Sequence, residues 1–220
     1  MNLQGDHENP YNSSSVIGVD FDNTVINYDD VIRQTAIDRA LISTDGPKGK
    51  NAIREHIRHL RKGELHWRKL QAIVYGTGIK QATLFSGVGE FLIECQRLGA
   101  RAYIVSHKTQ FSDYDNNRID LRIAALRWMD ANGFFDSNRI GLSHDDVFFE
   151  ATRQDKINRI KLLGCTHFVD DLKEVFLESS FPSTVRKILY SPSGRIVAQA
   201  GTKTATTWTE ISEYILGKSR

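Results

Sequence analysis

Two carboxylates one residue apart, Asp20 and Asp22, close the apolar run Val16-Ile17-Gly18-Val19, and Thr24 follows two positions later. A short apolar run bounded by polar residues is the pattern of a buried parallel strand. In an open parallel sheet, ligands bind beyond the carboxyl ends of the strands, so both acids are expected to project into a crevice. Carboxylates there are costly unless a cation or hydrogen bonds compensate them. The bland alternative for the same stretch is a solvated turn with a helix cap.

Three further element ends carry reactive or charged residues in a matching position. Ala102-Tyr103-Ile104-Val105 reads as a strand ending in Ser106, whose hydroxyl can donate to an anion. Lys156 falls in the first turn of a helix patterned by Ile157, Ile160, Leu162 and Leu163 and stopped by Gly164. A cation is unfavourable beside the positive end of a helix, and an anion shared by the lysine and the helix N-terminus would account for it. Lys161, deeper in the same helix, is the other candidate for that role. His167-Phe168-Val169 then delivers Asp170 and Asp171, adjacent acids that repel each other unless a metal or cation is near. Each end alone is a weak signal, and their shared placement makes a stronger one. Asp145 and Asp146 lie in a polar turn and read as structural or solvated.

Strands alternating with helices predict an α/β, Rossmann-like, three-layer parallel sheet flanked by helices, with right-handed crossovers. Helices are expected over Gly87–Gly99, Ile119–Met129, from Leu172 to Leu177, and over Trp208–Leu216. A strand is expected over Val185–Tyr190, and one or two short strands between Arg139 and Phe149. The character changes between Tyr28 and Leu84. Val31, Ile32, Ala36, Ile37 and Leu41 recur at helical spacing, as do Ile53, Ile57 and Leu60, then Leu65, Leu70, Ile73 and Val74. The expected division is therefore a polar, disordered tail over 1–15, a core over 16–27 and 84–220, and an all-helical insertion over 28–83.

The polar faces of that insertion are basic: Lys48, Lys50, Arg54, Arg58, Arg61, Lys62, Arg68 and Lys69 are set against Glu55 and Glu64. Most are expected to be solvated. The functional alternative is an anion-attracting lid, with Arg54, Arg58 and His59 as candidates for ligand contact. The histidines are too loosely spaced for zinc. A lid this small would leave the crevice accessible to a larger substrate. At 220 residues the chain suits one domain with an insertion, and a net charge of +2 gives no case for nucleic acid or an anionic membrane. No apolar run is long enough to span a bilayer, and the N-terminus lacks the apolar core of a signal peptide, so a cytoplasmic location is the default. Cys95 and Cys165 read as small buried hydrophobes.

The ordered set resembles the four motifs of the haloacid dehalogenase-like hydrolases, and specifically a phosphatase with a small helical cap between the first and second motifs. The matching segments are Val-Asp20-Phe-Asp22-Asn-Thr24, Ile-Val-Ser106, Lys156, and Phe-Val-Asp170-Asp171, spanning roughly Val16 to Tyr190. Asn23 stands where that family often has glycine. The resemblance implies a magnesium-dependent phosphatase that hydrolyses a phosphate monoester through an aspartyl-phosphate. Asp20 would be the nucleophile and Asp22 the proton carrier. Thr24, Ser106 and Lys156 would lie at the phosphoryl group. Mg2+ would be held by Asp20, by the Asp22 backbone carbonyl and by Asp171, with Asp170 orienting from behind. The presence of Asp22 argues against a dehalogenase, whose halide leaving group needs no proton. A phosphomutase of the same family remains an alternative, as does a non-catalytic phosphoacceptor module. The expected partner is a small anionic phosphorylated substrate.

Overall fold

The computed structural model describes residues 15–115, 117–194 and 200–217. Residues 1–14 of the expected tail lie outside this set. Ser15 already belongs to the fold, because its carbonyl accepts a hydrogen bond from the Arg101 backbone N–H at 2.9 Å.

In chain order the elements begin with β1 (Val16–Val19), β2 (Ile26–Asn27), α1 (Asp29–Asp38), α2 (Lys50–His59) and α3 (Gly63–Tyr75). A short 3-10 turn (Thr77–Gln81) leads to β3 (Thr83–Leu84), α4 (Val88–Arg97) and β4 (Arg101–His107). The second half holds α5 (Leu121–Ala131), β5 (Val147–Glu150), α6 (Arg153–Leu162) and β6 (His167–Asp170). It closes with α7 (Lys173–Leu177), β7 (Arg186–Tyr190), β8 (Thr202–Ala205) and α8 (Trp208–Leu216).

Six strands form one sheet in the order β5-β4-β1-β6-β7-β8, and every pair in it is parallel. Side chains alternate across it, as the pleat requires. Ile17, Val19, Ile104, Val169 and Ile188 enter one apolar cluster with α4, α5 and α8. Val105, Phe168 and Leu189 enter a second cluster with α6 and α7. The result is the three-layer α/β architecture expected from the alternation of elements.

α1 to α3 pack on the first of these clusters, contributing Ile32, Ile53, Ile57, Leu70 and Val74. The chain enters this helical block through β2 and leaves it through β3, which pair antiparallel. Trp128 Nε1 donates to the Ala82 carbonyl at 3.0 Å, fixing the return segment. The corner between α2 and α3 needs Gly63: a Cβ there would lie 2.2 Å from the Ile57 carbonyl oxygen.

Between Arg139 and Phe149 there is one strand, β5, preceded by a 3-10 turn over His144–Asp146 whose Ser143 and Asp146 cap each other. Leu162, part of the apolar pattern of α6, is exposed at 76%. Leu162 stands two residues past Ile160, on the opposite side of α6 from the buried Ile157 and Ile160. Cys95 and Cys165 are buried free thiols, and burial pushes both up to about 12.

Candidate active site

β1 lies between β4 and β6, and the order of connections reverses there, which is where open α/β sheets form their crevice. Asp20 directly follows β1, and its backbone N–H donates to the Val169 carbonyl at 2.9 Å. That bond sets Asp20 beside Asp170 at the end of β6. Ser106 approaches from the other side on β4. A tight turn follows, in which the Phe21 carbonyl accepts from the N–H groups of Val25 at 3.0 Å and Ile26 at 3.1 Å. Asn23 takes φ +63° in that turn. This is the left-handed region in which asparagine is tolerated better than most residues, so it serves where glycine often stands. Trp208 Nε1 donates to the Thr24 carbonyl at 3.1 Å, pinning the turn from α8.

Asp20 is 5% exposed and is held by three donors. The Ser106 hydroxyl donates to Oδ1 at 2.8 Å and Lys156 Nζ to the same oxygen at 2.6 Å. The Thr24 hydroxyl reaches Oδ2 at 3.4 Å. Lys156 also donates to Asp170 Oδ2 at 2.7 Å. Burial works to lower the Lys156 pKa, but Asp170 and Asp20 outweigh it and hold the ammonium above its usual value. Lys161, the other candidate, points to solvent.

Asp20, Asp170 and Asp171 each bring a carboxylate oxygen within 4.8 Å of the others. Burial pushes Asp170 up to about 7, against the pull of Lys156 and with the Asp20 charge adding to the rise. Asp171 rises to about 6, burial again leading and Lys50 opposing it across a 3.5 Å contact. Three converging carboxylates, two of them resisting ionisation, are chemically suited to a hard divalent cation such as Mg2+.

Asp22 faces a different group. Lys108 Nζ donates to both its oxygens, at 2.8 and 2.7 Å, and the Tyr28 hydroxyl donates to Oδ1 at 2.8 Å. Lys108 is 4% exposed, with its ammonium 5.5 Å from the Phe21 ring centre and 5.3 Å from that of Tyr75. Burial and the Asp22 charge both hold the Tyr28 phenol well above its usual pKa. Sequence reasoning gave no role to Lys108 or Tyr28. Lys108 stands two residues after Ser106 and was visible, but nothing in the pattern placed it on Asp22.

These groups surround a cavity of about 250 Å3. Asp20, Asp22, Ser106, Lys156 and Asp171 line it from the sheet, and Lys50, Arg54, Trp67, Gln71 and Tyr75 line it from the helical block. Thr24 and Asp170 sit behind Asp20 and Asp171, fully buried and outside this lining. Of the three candidates on the helical block, only Arg54 reaches the cavity. Arg58 pairs with Glu64 at the surface, and His59 Nδ1 contacts the Glu55 carbonyl.

No protein-family model matches the chain, and no curated protein matches it in sequence. Solved structures do match its fold. One is a haloacid dehalogenase-like hydrolase from Streptococcus pneumoniae, 16% identical, with 92% of this chain and 98% of that one aligned at a TM-score of 0.58. Another is protein tyrosine kinase A of Mycobacterium tuberculosis, 15% identical, with 92% and 98% covered and a TM-score of 0.59. A third is a hydrolase of the same superfamily from Deinococcus radiodurans, with bound phosphate and sodium. It is 11% identical, with 92% and 95% covered and a TM-score of 0.54.

Proposed function

On the premise that the chain has the fold of the haloacid dehalogenase-like hydrolases, we propose that it is a magnesium-dependent phosphatase acting on a phosphate monoester. The observation that carries this reading is Asp20 itself. It is a strand-end carboxylate beside a cavity, flanked by a hydroxyl at 2.8 Å and an ammonium at 2.6 Å, and grouped with two further acids. The fold neighbour that holds phosphate adds to it.

Asp20 attacks phosphorus in line with the ester oxygen and forms an aspartyl-phosphate. Oδ1 already accepts two close donors and Oδ2 only the distant Thr24 hydroxyl, so Oδ2 is the less encumbered oxygen. Ser106 and Lys156 turn from Asp20 to the phosphoryl oxygens as charge spreads over them. Asp20, the Asp22 backbone carbonyl and Asp171 would hold Mg2+, which would neutralise charge at the phosphoryl group. Asp170, gripped by Lys156 and by the Leu172 N–H at 3.0 Å, orients this group from behind.

Asp22 moves the proton. In the free protein both Asp22 oxygens accept from Lys108, and in the second step Asp22 accepts a proton from the attacking water. The first step needs a proton at the leaving oxygen. The Lys108 ammonium, in contact with Asp22, is the donor that can deliver one through it, while the Tyr28 hydroxyl steadies Asp22 Oδ1. The helical block over 28–83 acts as the cap, lining the cavity with Trp67 and Tyr75.

The test is phosphate release from an aryl phosphate and a panel of small phosphate esters, with and without Mg2+, for the wild type and Asp20→Asn. Magnesium-dependent release by the wild type alone is expected. Equal release by both proteins, or none by either, overturns the proposal.

A further inference from the structure

Cations crowd the cavity, and most of them already have a carboxylate. Lys156 has Asp20 and Asp170, and Lys50 has Asp171. Arg153, on the sheet side, pairs with Glu178 at 2.8 Å. Arg54 differs from all of these. Among the described residues no carboxylate pairs with it, and its Nε is enclosed without a hydrogen-bond partner. An enclosed charged donor left unpaired is costly. Arg54 also sits one turn beyond Lys50 on α2, and like charges at that spacing repel. Nothing in the folding of α2 requires this guanidinium, since Ile53 and Ile57 alone anchor the helix in the core.

We infer that Arg54 is a subsite for a carboxylate on the substrate, which is a small phosphorylated carboxylic acid. This rests on the phosphatase reading only for where the phosphate sits. The terminal Nη edge of a guanidinium presents two parallel donors that match a planar carboxylate. On α3, Trp67, Gln71 and Tyr75 recur every four residues and so share one face, all lining the same cavity. They give the carbon body an aromatic wall and one amide to meet. Size narrows the class further. At about 250 Å3 the cavity is smaller than the ~300–1,000 Å3 that holds drug-sized ligands. The phosphoryl group takes part of it, which leaves room for a body of a few carbons.

A matched pair of ligands tests the subsite by binding alone. One is a short phosphorylated hydroxy acid, and the other is the same ester with its carboxylate replaced by a primary amide. Each is titrated calorimetrically, with Mg2+, into the inert Asp20→Asn protein. A charge-assisted fork is expected to make the acid bind roughly 10–100-fold tighter than the amide. In the Asp20→Asn/Arg54→Gln protein that ratio should fall to near one, with thermal melting checking that the fold is retained. Equal affinity for the two ligands in the Asp20→Asn protein overturns the inference without any need of the second variant. So does a preference that survives Arg54→Gln. Failure of the wild type to release phosphate would count against the phosphatase reading and leave this comparison intact. Equal binding alongside turnover would count against the subsite alone.

Discussion

Replacing Lys156 with methionine tests how the site holds its charges. The ammonium is 2% exposed and lies 2.6 Å from Asp20 Oδ1 and 2.7 Å from Asp170 Oδ2. Lys156→Met keeps most of the side-chain volume and leaves two buried carboxylates facing each other without a cation. Breaking a buried pair in this way costs about 3–5 kcal/mol. The protein has one relief, which is to take up a proton. Burial already pushes the Asp170 carboxyl up to about 7 with Lys156 present, and removing Lys156 raises it further. The wild type already holds that proton up to about pH 7, and the folded variant goes on holding it above pH 7, where the unfolded chain, near the ordinary carboxylate pKa, does not. The variant therefore goes on losing stability as pH rises above about 7. The variant should be nearest the wild type at pH 5.5 and furthest from it at pH 8.

The assay is thermal melting at both pH values in the presence of a chelator. For a chain of this size a loss of 3 kcal/mol lowers Tm by about 6–12 °C. Adding Mg2+ should then stabilise Lys156→Met more than the wild type, because a cation replaces the one removed. Lys156→Met combined with Asp170→Asn should recover part of the loss. A Lys156→Met protein as stable as the wild type at pH 8 without metal, or one whose deficit does not change with pH, would refute the reasoning.

Lys108→Met should lower kcat by about 100-fold with little change in KM, because Lys108 holds and recharges Asp22 without lining the cavity itself. A change confined to KM would contradict this. Burial, with Arg186 nearby, lowers His167 to about 4, and its Nε2 has no hydrogen-bond partner among the described residues. The unfolded chain therefore takes up a proton near pH 6.5 that the folded protein refuses, and up to about 3 kcal/mol of stability disappears as pH falls from 6.5 to 4. Urea denaturation of the wild type and His167→Phe across that range checks this, and the variant should lose less. Gly63→Ala should cost about 1–3 kcal/mol, because its Cβ would meet backbone rather than a movable side chain. Chemical denaturation reads it, and an unchanged midpoint would show that the corner can open.

Much of the site could be read from the sequence because strand ends announce themselves. β1, β4 and β6 are apolar runs, and the polar residue that ends each run must lie at the crevice if the sheet is parallel. α8 was legible from Trp208 to Leu216 for a similar reason, since its apolar period is uninterrupted. β8 was not, because Thr202–Ala205 is a short polar strand at the sheet's edge that exists only by pairing with β7. β2 and β3 are two residues each, too short for any periodicity. Lys108 and Tyr28 acquire meaning only by converging on Asp22, Lys108 from 86 residues away. A signal for Arg54 was present, since Lys50 and Arg54 are spaced to share one face of α2. The surrounding Arg58 and His59 obscured it, as nothing in the sequence marks them as turned to solvent.

The most direct measurement of the central claim is a structure of the protein with Mg2+ and beryllofluoride, which mimics a phosphoryl group on a carboxylate. The account predicts the adduct on Asp20, with Ser106 and Lys156 contacting its fluorides and Mg2+ among Asp20, the Asp22 carbonyl and Asp171. An adduct on Asp170 or Asp171, or none on any carboxylate with Mg2+ bound, would contradict it.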